Sequence, residues 1–245
     1  MRQFFQSSLG RKYIMAVSGL LLFGFVIVHM LGNLQIFLGP EAINHYAHFL
    51  QSTPELLWSA RIGLLTLVAV HIWSAIRLSM ENKAARPIGY AGDPAPVAAS
   101  YASRTMLMSG LIVAAFIIYH LLHFTVQTPA LNLTGQDFKA LTEPLSKHHD
   151  VFRMMIVGFS NGWVSGFYIV GMALLCLHLS HGVSSMFQSL GLKSEGSGKV
   201  IEYFARLAAG IIFLISGCFL GALAARRKAG RKAAAAAESL DWFAP

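Results

Sequence analysis

Acidic residues are scarce in this chain. Of 245 residues only 11 are Asp or Glu, and charged residues of both signs make up 12%. That is about half the roughly 25% usual in soluble domains, so a chain of this kind cannot cover its surface with charge in water. Cysteine is almost missing as well. Cys176 and Cys218 are the two present, both inside apolar runs, which excludes a disulfide framework and the Cys sets that hold iron–sulfur clusters. They read as small packing residues. No glycine-rich fingerprint follows a strand pattern, so no FAD- or nucleotide-binding domain is encoded. The formal net charge of +8 comes from short loops and a tail beside apolar runs, which marks membrane topology and not nucleic-acid binding.

What the chain has instead is long apolar runs. The mean hydropathy is +0.57 and 55% of residues are hydrophobic. Residues 13–40, 105–136, 154–192 and 207–225 contain no Asp, Glu, Lys or Arg, and 56–76 contains only Arg61. Each reaches the ~18 residues needed for a membrane span. The expected fold is an all-α integral membrane bundle in one domain, 1–245, with five transmembrane helices over about 14–36, 58–79, 105–127, 160–186 and 204–225 and a basic tail over 226–245. The first run exceeds the ~7–15 residues of a signal-peptide core and is expected to stay as a helix. Arg2, Arg11 and Lys12, with no acid before Glu41, place the N-terminus in the cytoplasm by the positive-inside rule. Gly39-Pro40 ends the first helix. Residues 81–102, with Lys83 and Arg86, form an inner loop, 128–152 a polar outer connection, and 191–199 a second inner loop. Arg226, Arg227, Lys228, Arg231 and Lys232 then fall outside, against the charge rule. The Ala233 to Ala237 run reads as a solvated or frayed helix.

Histidine carries the chemistry. Six of ten lie inside the expected spans: His29, His71, His120, His123, His178 and His181. Ionisable groups in apolar spans are expensive and mark function by default. At a rise of about 1.5 Å per residue, His29 and His120 lie in the outer half of two outward-running helices. His71 and His178 lie in the inner half of two inward-running ones. The four form two pairs at levels about 10 Å apart.

Two imidazoles from facing helices at one level satisfy a six-coordinate haem, whose porphyrin supplies the other four nitrogens. Two haem b groups at two levels would relay electrons between the membrane faces. Zinc fits less well, since it gathers about four ligands, often with Cys or carboxylate, and no acid lies in these spans. His123 and His181 each follow a candidate ligand by three residues, on nearly the same face. Spacing leaves open whether they are the ligands themselves or partners for a propionate or a quinone. Arg61 either pairs with a propionate or extends to the headgroups. Gly171 lies two turns before His178, where a macrocycle or simply a packed helix would approach.

Several stretches together resemble one family. Ser8-Leu9-Gly10-Arg11-Lys12, His29-Met30-Leu31-Gly32-Asn33, Tyr101-Ala102-Ser103-Arg104-Thr105-Met106, Tyr119-His120-Leu121-Leu122-His123-Phe124 and Gly166-Phe167-Tyr168-Ile169-Val170-Gly171 are similar to the cytochrome b558 subunit of succinate dehydrogenase. That family is the single-chain, five-helix, di-haem anchor of bacterial succinate:quinone oxidoreductases and fumarate reductases. The resemblance spans roughly residues 8–225. It implies axial ligation by His29 with His120 (outer haem) and by His71 with His178 (inner haem). It also implies a multi-pass chain in the bacterial inner membrane, surrounded by lipid, and docking of an iron–sulfur subunit and an FAD flavoprotein on the cytoplasmic face. Electrons would pass to a membrane quinone, menaquinone or ubiquinone. Succinate itself would be oxidised in the flavoprotein, because this chain has no site for it.

The chain departs from that family in two places. Some fumarate-reducing relatives carry a transmembrane glutamate where Cys176 stands here, so the resemblance implies no proton path at that position. Some relatives have a carboxylate near the outer quinone site, whereas no acid lies between Glu41 and Glu55 here. His45, His48, Gln51 or Glu55 would have to manage a quinone's proton, unless the segment is an ordinary amphipathic connection. The rival readings are a di-haem anchor of another dehydrogenase (hydrogenase or formate dehydrogenase), a His-using metal transporter, and an anchor that has lost its haems.

Overall fold

The computed structural model describes residues 7–85 and 104–241, with backbone only for 225–241. The expected inner loop therefore lies largely outside the described residues, together with Arg86 and Tyr101 to Ser103 of one quoted stretch. The described residues are 82% helical, with eight α-helices and no strand. Helix α1 is Ser8–Leu34, α2 Pro40–Gln51, α3 Pro54–Ala84, α4 Met106–His120, α5 Pro129–Asn132, α6 Val151–Gly158, α7 Gly162–Ser189 and α8 Gly198–Asp241. Five helices are long and apolar enough to cross a membrane, the architecture of a multi-pass membrane protein.

Local chemistry sets the helix ends. The Ser7 hydroxyl accepts from Gly10 N–H at 3.0 Å, an N-cap that starts α1 well before residue 14. The helix tightens into a 3-10 turn over Gln35–Leu38 and stops at Gly39, whose φ of +111° suits glycine. Pro40 and Pro54 open α2 and α3, where the missing N–H costs nothing. A π turn, Leu121–Thr125, extends α4, with Val126 N–H donating to the Leu121 carbonyl at 2.8 Å. Such turns are rare and recur at functional positions.

The expected span 160–186 is α7, Gly162–Ser189. The apolar run 154–192 around it breaks after Gly158, and Asn161 Oδ1 accepts from Trp163 N–H at 2.9 Å to start α7. The connection 128–152 contains α5, a 3-10 turn at Phe138–Ala140 and the start of α6, capped by Asp150 accepting from Arg153 N–H at 2.9 Å. The expected last span, 204–225, lies in α8, whose apolar part is Gly198–Ala224. The backbone stays helical beyond it to Asp241, through the Ala233 to Ala237 run, because Ala, Lys and Arg favour helix strongly.

The chain forms two compact units, and several long helices contribute to both. Unit 1 takes its residues from Met1–Met30, Thr53–Ala115 and Ala173–Phe213. Small residues such as Ala16, Ser18, Ser74, Ala205 and Ala209 are buried in it, which allows helix backbones to approach closely. Unit 2 takes Leu31–Ser52, Phe116–Met172 and Leu214–Pro245. Its core is bulkier, built on Ile36, Phe116, Phe138, Phe159 and Tyr168. Large apolar side chains such as Leu21, Val28, Ile62 and Leu65 are exposed along α1 and α3, a surface suited to lipid.

Candidate functional site

In unit 1 the rings of His71 on α3 and His178 on α7 face each other, with centroids 6.4 Å apart and planes at 70°. A metal–imidazole bond of about 2 Å plus the ring radius, on both sides, separates two trans imidazoles by roughly 6 Å between centroids. The observed spacing fits that arrangement. Each ring engages a serine through Nδ1: His71 with Ser18 Oγ at 3.1 Å, and His178 with Ser109 Oγ at 3.3 Å. Beside each serine is a glycine. A Cβ at Gly19 would come within 3.3 Å of His71 Cε1, and one at Gly110 within 3.2 Å of His178 Cε1.

The remaining unit 1 candidates have other neighbours. His181 Nε2 is taken up by Ser185 Oγ at 2.8 Å, one turn further along the same helix. His29 is exposed and stacks on Phe25, with centroids 5.3 Å apart. The Arg61 guanidinium lies 5.2 Å from the Trp58 ring centroid, a cation–π pair typical of a helix end at the headgroups. Arg11 is buried and forms an ion pair with Glu81, and its Nε has no partner among the described residues.

In unit 2 the Tyr168 hydroxyl lies 3.3 Å from His120 Nδ1 and 3.0 Å from His123 Nδ1. His123 is 0% exposed, whereas His120 is partly accessible. Phe124, Phe138 and Phe159 surround His123, and its Nε2 has no partner among the described residues. The Tyr168 hydroxyl can donate to one of these Nδ1 atoms and accept from the other as Nδ1–H. His29 and His120 belong to different units. The space beside Gly171 is filled by the Phe116 ring, which an added Cβ would strike, so this glycine serves helix–ring packing.

The quinone candidates His45, His48 and Gln51 lie on α2, in unit 2, whereas Glu55 lies at the start of α3, in unit 1. His45, Gln51 and Glu55 are exposed. Only His48 joins a built cluster. It stacks on His148 from the connection after α5, with centroids 3.7 Å apart and planes at 10°. Buried Asn44 donates to Glu143 Oε1 at 2.9 Å and to Asp150 Oδ1 at 3.1 Å, and its Oδ1 accepts from Phe152 N–H at 2.8 Å. Hydrogen bonds from Ser146 and Asn44, with His148 and His48 adding favourable charge, hold the Glu143 carboxyl below its ordinary range. Among the described residues no three His, Cys, Asp or Glu side chains converge as ligands for one metal ion.

Sequence reasoning misses Ser18, Ser109, Tyr168, His148 and Glu143. For the serines a signal exists. Residues 18–29 and 109–120 share the pattern Ser-Gly-Leu-x4-Phe-x-Ile-x-His at identical spacing. In both copies the Phe stacks on the His one turn later, Phe25 on His29 and Phe116 on His120. Glu143 and His148 are far from α2 in sequence and give no comparable local signal. No protein-family model matches this chain, and comparison with curated proteins and with solved structures likewise gives no match.

Proposed function

We propose that the chain is the di-haem cytochrome b anchor of a succinate:quinone oxidoreductase, carrying electrons between an iron–sulfur subunit and membrane quinone. The observation that carries this reading is the His71–His178 pair, with facing rings at a separation that accommodates one metal between them. The donor set fits haem better than a bare metal ion. Only two imidazoles meet, and no third or fourth protein ligand converges with them among the described residues. A porphyrin supplies what is missing.

His71 and His178 would hold one haem b through Nε2, and His29 and His120 the second. When bound, haem supplies a one-electron couple inside the membrane. The chain's own residues do the rest. Apolar helices exclude water, hydroxyl groups orient the imidazoles, and the π turn after His120 brings His123 against Phe138 and Phe159, with the Tyr168 hydroxyl between the two histidines. Quinone chemistry belongs near α2, where His48, His148 and Glu143 form a cluster able to exchange protons. The membrane is the bacterial inner membrane, with the N-terminus in the cytoplasm and the flavoprotein and iron–sulfur subunits docked there.

A redox difference spectrum of the purified chain with haem quantitation tests this. Two low-spin haem b per chain are expected, and one after His71→Ala or His178→Ala. One haem or none in the natural chain overturns the pairing. Co-purified subunits separate a succinate dehydrogenase from a hydrogenase or formate dehydrogenase anchor.

A further inference from the structure

We infer that the two Ser-Gly steps, Ser18-Gly19 on α1 and Ser109-Gly110 on α4, are a duplicated positioning device. It fixes His71 and His178 as Nδ1–H tautomers with both Nε2 lone pairs turned to a shared ligand. The inference rests on the haem reading for the identity of that ligand but not for the tautomer.

The hydrogen bonds assign the protons. Ser18 O–H donates to the Ile14 carbonyl at 2.7 Å, with the Met15 carbonyl at 3.1 Å. Ser109 O–H donates to the Met106 carbonyl at 3.1 Å. With each hydroxyl proton used within its own helix, each Oγ faces the imidazole as an acceptor, so the imidazole must donate from Nδ1. A neutral imidazole protonated on Nδ1 keeps its lone pair on Nε2, the form that binds a metal at that atom. The glycines complete the device, because a Cβ at either position would press on Cε1, between the two ring nitrogens. The same dipeptide does the same work at both rings. Both act on one ligand pair, so they tune one haem and not the other.

The test uses the full chain carrying Ser18→Ala, Ser109→Ala or Ser109→Thr. An acceptor on Nδ1–H makes the imidazole a stronger donor to ferric iron. The expected result is full haem content, with the midpoint potential of the His71/His178 haem raised and its ferric EPR signal moved. The effect should follow either alanine change, be restored by Ser109→Thr, and be absent at the other haem. Unchanged potentials with only a lowered melting temperature overturn the inference, and so does a shift confined to the other haem. If the natural chain purifies without haem, the haem reading fails separately. ¹⁵N NMR of His71 and His178 then decides the tautomer: Nδ1–H in the natural chain, lost in the alanine variants, supports the device, and Nε2–H in the natural chain overturns it.

Discussion

His120 and His123 share one hydroxyl, that of Tyr168, yet they occupy opposite environments: His123 is wholly enclosed, and His120 is partly accessible. Three residues apart on one helix, they are near-equivalent by spacing. Packing distinguishes them. A ring held on all sides by protein atoms has no face left for a macrocycle.

On the di-haem reading proposed above, His120→Phe therefore loses one of the two haems, while His123→Phe keeps both. Haem quantitation on the two purified variants checks this directly. Loss in both would mean that the aromatic cage and the ligand fold as one unit, and loss only in His123→Phe would reverse the assignment.

Tyr168→Phe removes the group between the two imidazoles and leaves buried Nδ1 atoms without their partner. The cost is about 1–3 kcal/mol, read as a lowered melting temperature in detergent. On the same reading haem content is retained, and the spectrum of the haem proposed for His120 shifts.

Gly171→Ala should destabilise the chain by about 1–3 kcal/mol through overpacking, because the new methyl collides with Phe116. Gly63→Ala is the control. Nothing lies within 4 Å of a Cβ there, and alanine is the better helix former. Its melting temperature should hold or rise.

The Asn44 cluster makes a pH-dependent prediction. In the folded chain the Glu143 carboxyl titrates below its ordinary value of 4.5. Its contribution to stability is therefore complete above that value and is lost as pH falls through the lower, folded one. Melting temperature followed from neutral to acid pH should drop below 4.5 in the natural chain, and less steeply in Glu143→Gln. Asn44→Ala, which strips partners from Glu143, Asp150 and Phe152 N–H, should cost about 1–3 kcal/mol of stability, read as a lower melting temperature across the range.

The architecture is legible in the sequence because lipid imposes a simple rule. A span needs a long uncharged stretch, and residues 13–40 or 207–225 cannot be read otherwise. Helix ends are less legible, since Ser7, Asn161 and Asp150 act by capping, and a charge-free window takes no account of caps. The pairing of His71 with His178 follows from depth alone. The serines on their Nδ1 atoms do not, because hydroxyls are common in apolar helices and only the repeated Ser-Gly-Leu pattern singles these two out. The His48–His148 stack escapes altogether, since it joins α2 to a segment whose position depends on the turns around Asn132 and Phe138. Asn132 Oδ1 accepts from Thr134 N–H at 2.9 Å and its Nδ2 donates to the Gln136 carbonyl at 2.7 Å, local bonds that set the path of the chain without any mark in its hydropathy.

Tyr168 has a single proton to give. If it goes to His123, His120 must supply its own to bond the same oxygen, and if it goes to His120, His123 must. Both rings cannot accept from the phenol at once, so the tautomer of one restricts the hydrogen bond open to the other.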